Sequence, residues 1–317
     1  MSRLVNFGSL CVDWVYQVPN LVGAGETIAS NSLAVHPGGK GLNQSIAAAL
    51  AGADVLHFGA VGKDGAALLD ALRGAGVDTN GVMELDSASG HALIQVDSQG
   101  RNAIVIHPGT NRSVPQNHWQ SMLDSMRVGD WLLLQNETND IDKVLTFGKK
   151  RGIKMAVNLA PADDRISDYP IQHAALLIVN EIEAMALAAK STVKSTVKSA
   201  FVELCQRYPE TDIVLTLGGE GLWCASANQP GILLLDSYRV EPVDETAAGD
   251  AFIGYLMAAV LAEKSLSASL IEASTAGALA VTKAGAASSL PRLEDVEAMR
   301  ADNALLLQHL SFDEFKR

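Results

Sequence analysis

With 317 residues, 48% hydrophobic and 19% charged, the chain is long enough for one large domain with a generous buried core. Its formal net charge of −12 argues against a nucleic-acid partner, which basic surface would bind, and its long apolar segments are all broken by Gly, Ser, Thr or a charge, so no membrane span is supported. Cys11, Cys205 and Cys224 are an odd count with no C-x-x-C pair, against a disulfide framework or a zinc site; with no signal-like apolar run behind Met1-Ser2-Arg3, a cytoplasmic protein is expected.

Leu4 to Phe7 reads as a first strand, and Gly8 to Asp13 leaves it with a carboxylate at the strand's end, where ligands bind in α/β sheets. Residues 14 to 37 alternate strand-like and irregular stretches. They lead to Pro37-Gly38-Gly39-Lys40-Gly41-Leu42-Asn43-Gln44, with an Ala-rich helix expected from Ser45 to Ala51. The glycines lack the Walker spacing and its Ser or Thr, so this is no P-loop, and no G-x-G-x-x-G occurs. A bare backbone beside Lys40 and Asn43 suits close approach by a small polyhydroxylated ligand, or is only a helix start with incidental glycines.

Val55 to Val61 is a predicted strand and Ala66 to Ala75 a helix. Residues 91 to 97 and 102 to 106 flank Asp97-Ser98-Gln99-Gly100, a hairpin signature; with strands from 14 to 36 the hairpin forms a small sheet standing off the main body as a lid. From Trp131 strands and helices alternate: strands at 131–135, 154–158, 176–179 and 213–217, with helices near 141–151 and after Asn180. That rhythm predicts a parallel sheet covered on both faces. Glu137, Asn158, Asn180 and Thr216 fall just past or at predicted strand ends. Lys190, Lys194 and Lys198, spaced i, i+4 in a doubled Lys-Ser-Thr-Val run, read as a solvated helix face or loop. Two short strands follow Trp223-Cys224-Ala225, then a small-residue helix from Ile271 to Val281 and an amphipathic terminal helix from Leu293 to Leu310.

The densest stretch is Asp244-Glu245-Thr246-Ala247-Ala248-Gly249-Asp250 before an apolar run. Small residues at 247 to 249 turn the chain into a helix starting near Asp250, whose unpaired N–H groups would form an anion site. Asp250 opposes an anion there unless it acts as a base for a nucleophile attacking that anion, which is phosphoryl transfer to a hydroxyl. An Asp-capped helix without chemistry is the commoner structural reading of such a stretch.

Taken together, Gly-Ser-x-x-x-Asp at 8–13, Gly-Glu-Thr at 25–27, Gly-Gly-Lys-Gly-Leu-Asn-Gln at 38–44, Gln-Asn-Glu at 135–137, Asn-Leu-Ala-Pro-Ala at 158–162, Asn-x-x-Glu at 180–183, Thr-Leu-Gly-Gly-Glu-Gly at 216–221 and Ala-Ala-Gly-Asp at 247–250 resemble, in order and over essentially the whole chain, the ribokinase family of carbohydrate kinases. The resemblance implies a single ribokinase-like α/β kinase domain over 1–317. Its central, mostly parallel sheet would be flanked by helices, with a β lid from about 10–37 and 88–107. It implies ATP-dependent phosphorylation of a sugar's exocyclic hydroxyl, ribose or a related pentose first. Asp250 would be the base, and the N–H groups of Ala247, Ala248 and Gly249 the anion hole. Asp13, Gly39, Lys40, Asn43 and Glu137 match sugar-binding positions. Asn180 and Glu183 match the motif governing Mg²⁺ and phosphate, the latter through water, and Thr216, Gly218 and Gly221 match the nucleotide strand end. Asp244, Thr246, Ala280, Lys283, Gly285 and Ser289 match positions around a K⁺ ion.

Two departures stand out. Glu245 occupies a place where the family usually has Thr, and turned inward it adds negative charge near cation and phosphate. Leu42 replaces a small Ala, and turned toward the pocket it would change which sugar fits by about 1–3 kcal/mol. Other substrates of the same chemistry are fructose, a sugar acid, for which the predicted sugar loops offer no Arg, and a nucleoside, for which Trp14 and Tyr16 are the available aromatic faces. A non-catalytic sugar or nucleotide sensor is the reading from another class. The resemblance also implies a homodimer through the lid sheets, where exposed strand edges and one apolar face invite pairing.

Overall fold

The computed structural model describes residues 2–189 and 196–317, so Lys190 and Lys194 lie outside it. In chain order the strands are β1 Leu4–Phe7, β2 Cys11–Gln17, β3 Ser32–Gly38, β4 Val55–Val61, β5 Asp78–Glu84, β6 Gly90–Val96, β7 Asn102–His107, β8 Trp131–Gln135, β9 Lys154–Asn158, β10 Leu176–Asn180, β11 Asp212–Thr216, β12 Leu222–Ser226, β13 Gln229–Leu235 and β14 Leu307–Leu310. The α-helices are α1 Lys40–Leu50, α2 Ala66–Gly74, α3 Gln116–Ser125, α4 Ile141–Lys150, α5 Glu181–Ala188, α6 Val197–Arg207, α7 Ala248–Leu261, α8 Leu266–Ala280, α9 Leu293–Asp302 and α10 Phe312–Lys316.

Ten strands form the main sheet in the order β14-β13-β12-β11-β10-β9-β8-β1-β4-β5. The pairs from β11 through to β5 are parallel, and β12, β13 and β14 add an antiparallel edge. Alternation along each strand sorts side chains onto two faces. Val5, Leu132, Val157 and Leu177 pack with Trp119, Val144 and Phe201 from α3, α4 and α6. Leu4, Leu133, Ala156 and Ile178 pack with Leu42, Leu68, Tyr255 and Leu270 from α1, α2, α7 and α8. Strand order reverses at β1, which has β8 on one side and β4 on the other. A crevice opens at the carboxyl ends of the strands at such a point.

The second sheet has the order β3-β2-β6-β7, with the predicted hairpin as β6 and β7. Among the described residues no helix is long and apolar enough to cross a membrane.

Several expectations are corrected. Asp13 is not in the turn after β1 but is the third residue of β2, paired with His36 and Ala92 in the small sheet. Helix α1 begins at Lys40, five residues before Ser45, because Gly39 at φ 96° starts the helix. Residues 293–310 are not one helix: α9 stops at Asp302, and Leu307–Leu310 pairs with the otherwise open edge of β13, where strand pairing overrides the helical pattern. Trp223 to Ala225 lies inside β12, leaving one further strand before the irregular stretch to Ala247. Strand β5 was not anticipated.

Helices α1 and α7 run side by side in the same direction. Asp250 lies beside Asn43 and Gln44, and Gly254, one turn on, lies beside Ala47 and Ala48. A Cβ on Gly254 would come within 2.4 Å of the Ala47 Cβ and 2.7 Å of the Ala48 nitrogen. Gly254→Val is therefore expected to lower stability by about 1–3 kcal/mol through overpacking, read as a lower urea midpoint with an unchanged m-value.

Candidate active site

Four consecutive parallel strands deliver polar groups to one edge. Glu137 lies two residues past β8, while Asn158, Asn180 and Thr216 end β9, β10 and β11. Lys40, Asn158, Asn180, Glu183, Thr216 and Asp250 line one cavity of about 200 Å³, smaller than the ~300–1,000 Å³ of typical small-molecule sites. Gly218 and Gly221 lie in the turn that follows β11, outside this cavity's lining.

Asp250 sits in the first turn of α7 and is 7% exposed. Its Oδ2 accepts from Asn43 Nδ2 at 3.0 Å and its Oδ1 from Gln44 Nε2 at 2.9 Å. Ala247 enters the helix at φ 61°, a left-handed conformation that costs a non-glycine residue about 1–2 kcal/mol. This turn leaves the N–H groups of Ala247, Gly249 and Asp250 without a hydrogen-bond partner among the described residues, whereas Ala248 N–H donates to the Glu245 carbonyl at 3.3 Å. The open donors are therefore 247, 249 and 250 rather than 247 to 249. The N-terminus of α1 borders the same cavity through Lys40, but its first three N–H groups are taken by Glu137 and Ser9.

Glu137 accepts from Lys40 N–H at 3.1 Å and from the Ser9 hydroxyl. Burial raises its pKa, against the opposing pull of Lys40 and Ser9. Asp13 faces it across the gap between the sheets: burial first, and then the charge of Glu137, push the Asp13 carboxyl up to about 6. Burial pushes the Lys40 ammonium down, but the carboxylates of Asp250, Glu137 and Glu183 outweigh it, and the pKa rises. Lys40 is thus the shared counter-charge of three carboxylates. Asn180 and Glu183 form a reciprocal capping box at the start of α5, with Glu183 N–H on Asn180 Oδ1 at 2.9 Å and Asn180 N–H on Glu183 Oε2 at 3.0 Å. Their spacing has that structural cause as well as any other.

Asp244 ties two loops together. Its Oδ1 accepts from Thr246 N–H at 2.9 Å and the Thr246 hydroxyl at 2.6 Å, and its Oδ2 from Gly285 N–H at 2.9 Å. Ala280 ends α8 nearby, and Lys283 and Ser289 belong to the loop that follows it. Glu245 lines the cavity. Leu42 does not: it is fully buried in the core with Leu10 and Ile46.

The glycines of the 38–41 run also have packing reasons. A Cβ on Gly41 would lie 2.3 Å from Ser9 N, and one on Gly38 would lie 2.0 Å from Asp13 Oδ2. Trp14 and Tyr16 alternate onto the face of β2 opposite Asp13 and so point away from the site. Arg112 and Arg165 approach from beneath and donate to the Asn136 and Glu137 carbonyls. Sequence reasoning overlooked Gln44 and Ser9 as site residues, although both lie inside quoted motifs.

A model of the pfkB family carbohydrate kinases matches residues 1–293. The chain belongs to the pfkB family of carbohydrate kinases. The kinase is 32% identical over 301 residues to the ribokinase of Haemophilus influenzae, covering 93% of this chain and 97% of that one. It is 31% identical over 306 residues to the ribokinase of Bacillus subtilis, covering 94% and 99%. Among solved structures it is similar to the ribokinase of Cryptococcus neoformans var. grubii serotype A in complex with ADP, with TM-score 0.83 and 31% identity over 94% of this chain and 100% of that one. The Arabidopsis thaliana ribokinase complexed with ribose and ATP gives 0.82 and 26% over 94% and 99%.

Because Asp13 is held near 6 in the fold, its contribution to stability is present below its unfolded value of 3.8 and is lost as pH rises through about 6. Asp13→Asn is therefore expected to stabilise the kinase at pH 8 and leave it nearly unchanged at pH 3.5, checked by urea unfolding at both. A direct carboxyl titration by NMR should move downward in Glu137→Gln.

Proposed function

We propose that this carbohydrate kinase transfers the γ-phosphoryl group of ATP to the exocyclic hydroxyl of a small sugar, ribose or a related pentose. The observation that carries the reading is the Asp250 carboxylate, held on both oxygens at the mouth of a helix where the N–H groups of Ala247, Gly249 and Asp250 are open among the described residues. A hydroxyl lodged against Asp250 would lose its proton to the carboxylate as its oxygen attacks the γ-phosphorus. The N–H groups of Ala247 and Gly249 and the Lys40 ammonium would meet the charge on the transferring group. The relatives named ribokinase, one of them complexed with ribose and ATP, support the substrate class.

In this reading Asp13, Gly39, Asn43 and Glu137 hold sugar hydroxyls, and the small sheet carrying Asp13 acts as a lid on a single 1–317 domain. Asn180, Thr216, Gly218 and Gly221 receive the nucleotide. Among the described residues no cluster of three or more His, Cys, Asp or Glu could cage a metal. That fits Mg²⁺ carried on substrate phosphates, with Glu183 reaching it through water. The ion would neutralise phosphate charge. The loops joined by Asp244 fit a K⁺ ion held by Thr246, Ala280, Lys283, Gly285 and Ser289, several through carbonyls. Its role would be to order the entry to α7, and Glu245 adds charge beside it. The free cysteines are consistent with a reducing cytoplasm.

A sugar-acid substrate is disfavoured because Arg112 and Arg165 direct donors to backbone carbonyls, and a nucleoside because Trp14 and Tyr16 face outward. The outward face of the small sheet carries exposed Trp14, Leu33, Val35, Leu93 and Val105 in register, which supports a homodimer paired through it. Light scattering should give twice the chain mass, falling to one chain mass in Val35→Lys/Leu93→Lys.

ADP release from ATP and Mg²⁺ over pentoses, hexoses, sugar acids and nucleosides, in K⁺ and in Na⁺, tests the reaction. Turnover of one pentose is expected, with Asp250→Asn slowing it by about 10²–10⁴-fold while sugar affinity changes only a few-fold. Sugar binding without turnover of any substrate would favour the sensor. Ionised Asp13 as a hydroxyl acceptor further predicts that sugar affinity falls as pH drops below about 6.

A further inference from the structure

Behind Asp250 a chain of buried amides runs through the core. Gln44 Nε2 donates to Asp250 Oδ1, and Gln44 Oε1 accepts from Gln135 Nε2 at 2.8 Å. Gln135 Nε2 also donates to Asn6 Oδ1 at 3.0 Å, and Asn6 Nδ2 donates to the Gly41 carbonyl at 2.9 Å and to Ser45 Oγ at 2.8 Å. Ser45 Oγ lies 2.8 Å from His57 Nδ1, and His57 Nε2 lies 3.3 Å from the Gly8 carbonyl. Asn6, Gln44, Ser45, His57 and Gln135 are all fully buried, three of them on β1, β8 and β4 and two on α1. Burial pushes the His57 pKa down to about 4, so its ring is neutral at pH 7.

The chain has one consistent polarity, and backbone carbonyls fix it. The Gly41 carbonyl only accepts, so the Asn6 amide must turn its NH₂ there and its oxygen to Gln135. Gln135 must then offer its NH₂, and Gln44 must meet it with Oε1, which leaves the Gln44 NH₂ facing Asp250. Asn158 agrees from the other side: its Nδ2 donates to the Ile178 carbonyl at 3.2 Å, leaving its oxygen for Gln44 Nε2 at 3.3 Å. A flipped Gln44 would set oxygen against carboxylate and NH₂ against NH₂. Each mismatch in a dry core costs about 1–3 kcal/mol.

We infer that Gln44 is the positioning residue of Asp250, fixing the rotation of its carboxylate through an amide relay anchored on the Gly41 and Ile178 carbonyls. This rests on the reading of Asp250 as the base. Gln44 touches no reacting atom in this assignment; it acts by holding the carboxylate oxygen toward the incoming hydroxyl.

The test is steady-state kinetics of the full-length enzyme with a pentose it turns over, for Gln44→Met, Asp250→Asn and the double variant. Gln44→Met is expected to lower kcat by about tenfold to a hundredfold with KM for sugar and ATP within about threefold, since a misplaced group costs rate rather than binding. In the Asp250→Asn background the same change should alter residual turnover by less than about twofold. Gln44→Leu, which removes the donor without adding charge beside Asp250, gives the same readout where Gln44→Met folds poorly. A kcat within twofold of wild type in either folded variant, or an equal loss in the Asp250→Asn background, overturns the inference while the base reading stands. Full turnover by Asp250→Asn alone removes the base reading, and the inference with it.

Discussion

The contact between α1 and α7 is the constraint on which the site depends. Helices approach this closely only where side chains are nearly absent, and Gly254 against Ala47 and Ala48 provides that gap. One turn toward the N-termini the same two faces carry Asp250 on one helix and Asn43 and Gln44 on the other. The i, i+4 relation therefore converts a packing contact into a hydrogen-bonded carboxylate. Because both helices run in the same direction, both begin at the carboxyl-end edge of the sheet, where Lys40 and Asp250 line one crevice with the ends of β9, β10 and β11.

That crevice concentrates charge of both kinds. Asp13, Glu137, Glu183 and Asp250 are held partly or wholly out of water, and Lys40 is the cation that the last three share. Burial first, and then the charge of neighbouring carboxylates, raises those of Asp13, Glu137 and Glu183 above their usual range, which is unfavourable for folding near neutral pH. In the function we propose, such an arrangement is the counterpart of what it would receive: hydroxyl groups that need acceptors, and a phosphoryl chain that needs N–H dipoles and a cation. Glu245 adds a further carboxylate to the cavity wall.

The two sheets divide the work. The large sheet presents Glu137, Asn158, Asn180 and Thr216 along one edge, while Asp13 arrives from the small sheet. Packing around it is tight: within the small sheet Gly38 must lack a side chain beside Asp13, and Gly41 of α1 must lack one beside Ser9 in the β1–β2 connection. Asn111 clamps the crossing between the sheets, donating to the Leu10 carbonyl and accepting from Leu10 N–H, both at 2.9 Å.

Much of this was legible in the amino-acid order because it is local. Alternation of short apolar runs with amphipathic ones identified the parallel sheet, since both periods are set by nearest neighbours. The Asp97–Gly100 turn identified the hairpin, and small residues before Asp250 identified the helix entry. What the chain order could not reveal depends on residues far apart in it. Asp13 follows β1 yet belongs to another sheet, because its partners are His36 and Ala92. Leu307–Leu310 carries a helical pattern but becomes a strand, because β13 has an unpaired edge. Leu42 turns into the core while Glu245 turns to the cavity, a choice settled by which helix packs on which face. Gln44 looked like one more residue of a motif; only the fold sets it between Gln135 and Asp250, 91 and 206 positions away, where the direction of each hydrogen bond is decided by the next.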